Sequence, residues 1–120
     1  MILKAVRLYR GHKQAAKEKT GHYPPVTAIL KQMLYELLRF KVITDNTGAY
    51  VVYEIARRYH LNNHCVVINS VYCPPQYRRT GVITELYDRI TRKHRLNIVL
   101  FNYKQGYKHI GSVYIRVRGF

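Results

Sequence analysis

Apolar positions recur along this chain in two rhythms. From Thr27 onward, Ile29, Leu30, Met33, Leu34, Leu37 and Leu38 fall at helical spacing. The pattern predicts a helix that turns one face to a core, with Thr27 as its N-cap. The runs "FKVIT" and "AYVVYEIA" are β-rich and flank "DNTG". Asp, Asn and Gly suit a tight turn, so the two runs predict a β-hairpin. "HCVVINSVYC" is apolar on both faces and predicts a central strand, ended by Pro74 and Pro75. Val82, Ile83, Leu86 and Ile90 form a second helical stripe, with Glu85–Arg89 and Asp88–Arg92 as i,i+4 pairs on its outer face. "NIVLF" predicts a buried strand.

The ends of the chain carry weaker patterns. "ILKAVRLY" predicts a short first strand, followed by a polar and basic loop or marginal helix up to Pro24 and Pro25. "RRYHLNN" predicts a connecting loop. "NYKQGYKHIG" is short and mixed, and the alternating "SVYIRVRGF" predicts a last strand. The expected order is β–α–β–β–β–α–β–(short helix or loop)–β. That is an α+β domain with a mixed sheet and flanking helices. Residues 66–73 and 96–101 should run parallel, with the helix after Gly81 crossing between them. No repeat, low-complexity tract or linker divides residues 1–120, so one domain is expected.

Composition narrows the partners. The chain has 120 residues, with 21 Lys and Arg against six acids and a formal net charge of +15. The bases are spread along the whole chain, which implies a charged folded surface and attraction to nucleic acid or an acidic protein. No window has the apolar length of a membrane span, and the N-terminal apolar run is too short for a secretory signal. A cytoplasmic protein without membrane contact is expected. Cys65 and Cys73, eight residues apart on one strand, lie roughly 26 Å from each other at about 3.3 Å per residue. They are read as two separate thiols. The six histidines show no metal spacing, and there is no Walker loop or nucleophile elbow.

The stretch "VYCPPQYRRTGVITELYDRI" carries the chemistry. Two adjacent cations precede a helix whose N-terminus is already electropositive, which implies an anion between them. A strand turning into a helix offers backbone N–H groups for phosphate. This stretch, residues 71–90, resembles motif A of the GNAT acetyltransferase superfamily. Val71, Pro75, Tyr77, Arg78 and Gly81 fall on matching positions, and Leu86 on a core position of the following helix. The resemblance extends over most of the chain from Thr27. It implies a GNAT-like fold that binds acetyl-CoA or CoA, with the amides of Arg78, Arg79, Thr80, Gly81, Val82 and Ile83 around the pyrophosphate. It also places Val71, Cys73 and Asn102 among the cofactor contacts. The family's last motif position is usually Gly or Ala, whereas here it is Ile83. Because Ile83 shares the stripe of Leu86 and Ile90, its side chain is expected to face the core and leave its N–H free.

"NYKQGYKHIGS", residues 102–112, resembles a shortened motif B. Tyr107 and Gly111 keep the Tyr-x-x-x-Gly spacing, and Ser112 stands where Phe is usual. By that resemblance Tyr107 would protonate the departing CoA thiolate, with Tyr103 as the alternate. The proton acceptor for an amine substrate is expected to be Glu54, with His60 and His64 as further candidates. Two readings follow. One is an N-acetyltransferase acting on an acidic or nucleic-acid-associated amine. The other is a catalytically degenerate basic module that binds nucleic acid, a nucleoprotein or an acidic host protein, for instance as an inhibitor of a host enzyme. The minimal form would suit a bacteriophage or mobile-element protein.

Overall fold

Residues 2–20 form one helix, where a strand followed by a loop or marginal helix was expected. Helix α1 spans Ile2–Thr20 in a computed structural model that describes residues 2–58, 63–96, 98–102 and 106–111, with side chains described for 2–55 and 65–96. Lys, Arg, Ala, Gln, Glu and Leu dominate the segment, and all favour helix. Leu8, Gly11 and Ala15 recur at spacings of three and four, and this face packs onto the sheet. Lys17 and Lys19 sit in the last turn, where cations suit the helix dipole. Gly21, at φ 82°, ends the helix, and Lys17 Nζ donates to its carbonyl at 2.7 Å.

Helix α2 spans Val26–Arg39. Its N-cap is Pro25 and not Thr27, because Pro25 has an extended ψ of 143° and its carbonyl accepts from Ala28 and Ile29. Its buried arc is narrower than its apolar stripe. Ile29, Met33 and Glu36 are buried, whereas Leu30, Leu34 and Leu38 are exposed.

Strands β1 (Lys41–Thr44) and β2 (Tyr50–Arg58) form the expected antiparallel hairpin. Asp45 Oδ1 accepts from the Thr47 N–H at 2.9 Å, and Gly48 takes the positive φ of 91° that the turn requires. Strand β3 (Asn63–Tyr72) pairs antiparallel with β2. Arg57 and Arg58 belong to β2 and Asn63 to β3, so the segment read as a loop contributes to both strands.

After a short 3-10 turn at Pro75–Tyr77 comes helix α3 (Val82–His94), then β4 (Ile98–Asn102) and β5 (Gly106–Gly111). Strand β4 runs parallel to β3, as a crossover through α3 demands. Residues 106–111 form a strand antiparallel to β4, correcting the expected short helix or loop. Backbone pairing with an otherwise open β4 edge decides this. The expected last strand at 112–120 lies outside the described residues. The result is an α+β fold with one mixed sheet in the order β1-β2-β3-β4-β5.

The sheet buries its two faces against different helices. Val51, Tyr53 and Val66 pack with Leu86 and Ile90 of α3 on one face. Tyr50, Val52, Val42 and Tyr72 pack with Leu8 of α1 and Met33 of α2 on the other. Among the described residues, no helix is long and apolar enough to cross a membrane.

Candidate functional site

The site forms where β3 parts from β4. Their pairing covers Val66↔Ile98, Val67↔Val99 and Ile68↔Leu100. One residue further, β3 bulges. Val52 pairs with Ser70 and Tyr53 with Ile68, so Asn69 is an extra residue on β3. A bulge bends its strand and interrupts the ladder, which turns the last part of β3 away from its neighbour.

Beyond the bulge, β3 runs into the turn that precedes α3. Arg79 and Gly81 both have positive φ, at 63° and 89°. An arginine in that region is uncommon, and such conformations gather at binding sites. Gly81 is the N-cap of α3 and brings no side chain to cap it. The first N–H groups of α3 therefore have no partner within the helix. A Cβ added to Gly81 would meet nothing within 4 Å, so the space over the turn is open.

A cleft of about 470 Å³ lies beside this turn, lined by Ala15, Glu18 and Lys19 of α1, Val71 and Tyr72 of β3, and Cys73, Arg78 and Ile83. Four of the residues expected to contact a cofactor thus converge: Val71, Cys73, Arg78 and Ile83. Cys73 is half-buried, and burial pushes its thiol up while the neighbouring Arg78 cation opposes the shift. Arg78 is fixed on three sides. Its Nε donates to the Cys73 carbonyl at 2.9 Å, its Nη2 to Glu18 Oε2 at 2.7 Å, and its guanidinium stands 5.9 Å from the Tyr72 ring centre. Tyr72 Oη donates to the other Glu18 oxygen at 3.4 Å. A carboxylate from α1 therefore already occupies the arginine.

Ile83 has two surroundings. It packs against the α3 face of the core and also reaches the cleft. Val82 packs against the same core, and Thr80 is exposed, its hydroxyl donating to the Tyr77 carbonyl. The other expected residues lie apart from the cleft lining. Glu54 is half-buried on β2, paired with Val67, and about 10 Å along the strand from the level of Val51 and Val71 at about 3.3 Å per residue. Asn102 ends β4 opposite Gly106, and Tyr107 pairs with Phe101. The side chains of Asn102 and Tyr107 lie outside the described residues, as does that of His64. His60 and Tyr103 lie outside them altogether.

A second polar centre adjoins the bulge and has no counterpart among the expected site residues. Glu36 is fully buried between α2, α1 and β3. The bulge lets two consecutive side chains reach it. Ser70 Oγ donates to Oε2 at 2.8 Å and Asn69 Nδ2 at 3.2 Å, while His12 Nε2 hydrogen-bonds Oε1. Burial alone would raise its pKa, but the bonds and charge from His12, with Ser70 and Gln32, outweigh that and hold the carboxyl below its ordinary value. Glu36 was legible only as the one acid at i+3 from Met33 on the α2 stripe. Glu18 gave no signal, because its segment read as a polar loop or marginal helix with no assigned face.

No protein-family model matches the chain, and no curated protein sequence matches it. Solved structures do share its fold. A possible acetyltransferase from Clostridium difficile 630 superposes with a TM-score of 0.64 over 85% of this chain and 75% of its own, at 20% identity. An integron cassette protein from the mobile metagenome of Cole Harbour Salt Marsh gives 0.58 over 81% and 70%, at 13% identity. At such identities the likeness is one of fold.

Proposed function

We propose that this chain is a GNAT-like N-acyltransferase that moves an acetyl group from acetyl-CoA to an amine. One observation carries the reading. Val71, Cys73, Arg78 and Ile83 meet in a single cleft, where a parallel strand pair parts and α3 begins with uncapped N–H groups. The fold shared with a possible acetyltransferase supports it.

The residues present fit a phosphate-bearing cofactor. The N–H groups at the start of α3, the positive-φ turn and the open space over Gly81 suit a diphosphate. Arg78 and Arg79 would add charge-assisted hydrogen bonds. Bound there, acetyl-CoA would supply an activated thioester carbonyl for attack by an amine.

The chain's own residues would do the rest. The part of β3 beyond Ile68 has left β4 and can offer its backbone to an extended ligand arm. Tyr107 is assigned to protonate the leaving thiolate. Its backbone pairs with Phe101, one residue past the last β3–β4 pair, so along β4 it is level with the point where the two strands part. Glu54 is assigned as proton acceptor for the amine. It pairs with Val67, one residue before that last pair. Both roles rest on positioning, and no covalent enzyme intermediate is needed.

The engagement of Arg78 by Glu18 favours a second reading, in which the cofactor site is abandoned and the basic surface binds nucleic acid. Calorimetric titration of acetyl-CoA at low and moderate salt separates the two. Salt-tolerant micromolar binding is expected. Absence of binding, together with steeply salt-dependent retention of DNA or RNA, would replace the enzyme by the binding module.

A further inference from the structure

The outward side of the α1–α2 hairpin carries a groove unrelated to the cleft. It has a volume of about 560 Å³ and is lined by Ala5, Val6, Tyr9, Arg10, Lys13 and Gln14 of α1 and by Leu30 and Met33 of α2. From Leu30 the apolar line continues along α2 at i+4 and i+8 through Leu34, 52% exposed, and Leu38, 84% exposed. Exposed apolar residues in a continuous line mark interaction surfaces more than isolated ones do.

Charge says what kind of partner fits. None of the residues lining the groove is acidic, and Arg10 and Lys13 are cations. Lys17 extends the same side of α1, and Lys13 and Lys17 hold their ammonium groups 4.9 and 5.1 Å from the Tyr23 ring centre. The single acid of α1, Glu18, is bound to Arg78, and the single acid of α2, Glu36, is fully buried. Neither neutralises this surface.

We infer that the groove docks an acidic amphipathic helix from a partner protein. A guest helix with apolar residues at i, i+3, i+4 and i+7 would lie along Leu30, Leu34 and Leu38, with its flanking carboxylates on Arg10, Lys13 and Lys17. Face-to-face pairing of two copies through this groove is disfavoured, because each copy carries +15 and the acids of α1 and α2 are already engaged or buried. Nucleic acid would find an apolar floor where it needs donors. A flat bilayer matches a ridge better than a groove between two helices. The inference stands apart from the proposed transfer reaction.

The test uses two labelled synthetic helices with the same leucine face, one flanked by glutamates and one by lysines, followed by fluorescence anisotropy. The wild-type chain should bind the acidic helix at least about tenfold more tightly than the basic one. Leu34→Glu should abolish that binding. The double change Arg10→Glu and Lys13→Glu should reverse the preference. These positions are on the surface, and circular dichroism verifies that each variant is folded. Three outcomes overturn the inference: no binding or no preference between the helices; phosphatidylglycerol vesicles bound in a Leu34-dependent way in place of the peptide; or self-association of the wild type that Leu34→Glu removes.

Discussion

Arg78 Nη2 lies 2.7 Å from Glu18 Oε2, joining the last turn of α1 to the turn before α3 across 60 residues of sequence. The pair sits at the mouth of the cleft, and both side chains are more than one-third exposed. An exposed pair of this kind contributes only about 0–1 kcal/mol. An incoming phosphate can therefore displace the carboxylate at small cost.

Glu18→Gln should release Arg78 and tighten acetyl-CoA binding by up to about fivefold, the equivalent of about 1 kcal/mol. Stability should change by less than about 1 kcal/mol. Calorimetry and denaturant unfolding measure the two quantities. Weaker cofactor binding in this variant would mean that Glu18 orients Arg78 for the ligand instead of competing with it.

Arg78→Ala and Gly81→Val should each weaken acetyl-CoA binding, for different reasons. The first removes the charge. The second forces a β-branched residue to φ 89°, at a conformational cost of about 1–2 kcal/mol with no steric clash. Ile83→Gly should leave affinity nearly unchanged while costing about 2–3 kcal/mol of stability, through lost core contact and helix propensity. Undetectable binding in the wild type that Ile83→Gly restores would show that the isoleucine blocks the cradle.

Gly11→Ala should destabilise the chain by about 1–3 kcal/mol, although alanine is the better helix former. The added Cβ would lie 2.2 Å from Tyr50 Cε2, and Tyr50 is buried and cannot swing away. Thermal unfolding reads this directly. If Gly11→Ala melted higher than the wild type, the close packing of α1 on Tyr50 would be wrong.

Acid should destabilise the fold in two stages. His94 is held below its ordinary value of 6.5 by burial and by Lys93 and Lys41, so the unfolded chain takes up that proton first. Stability is then complete above pH 6.5 and falls as pH drops toward the lowered folded value. Glu36 is held below 4.5, so its contribution is present above that pH and is lost as pH falls through its folded value. Urea unfolding across this range should show both steps. Glu36→Ala should remove the lower step and cost about 3–5 kcal/mol at neutral pH, because His12, Ser70 and Asn69 lose their shared acceptor. A Glu36→Ala variant with wild-type stability would contradict the buried network.

Much of the architecture was legible locally. The turn at Asp45–Gly48, the apolar run of β3 and the stripe of Val82, Ile83, Leu86 and Ile90 each encode an element by periodicity and turn chemistry. The parallel pairing of β3 with β4 followed from the crossover alone. The motif drew attention to Val71, Cys73, Arg78 and Ile83, which line one cleft.

Elsewhere the tertiary structure decided. "ILKAVRLY" alternates well enough to read as a strand, but its residues also favour helix, and the packing of Leu8, and of Gly11 just beyond it, against Tyr50 decides for the helix. Residues 106–111 became a strand because β4 offered an edge. Six apolar residues marked a face of α2, but the sheet could cover only the arc of Ile29, Met33 and Glu36, which left Leu30, Leu34 and Leu38 outside. Periodicity records what a segment can bury, whereas burial of an acid such as Glu36 depends on donors from α1 and from the β3 bulge. Those partners lie 24 to 34 residues away in sequence and meet only in the folded chain.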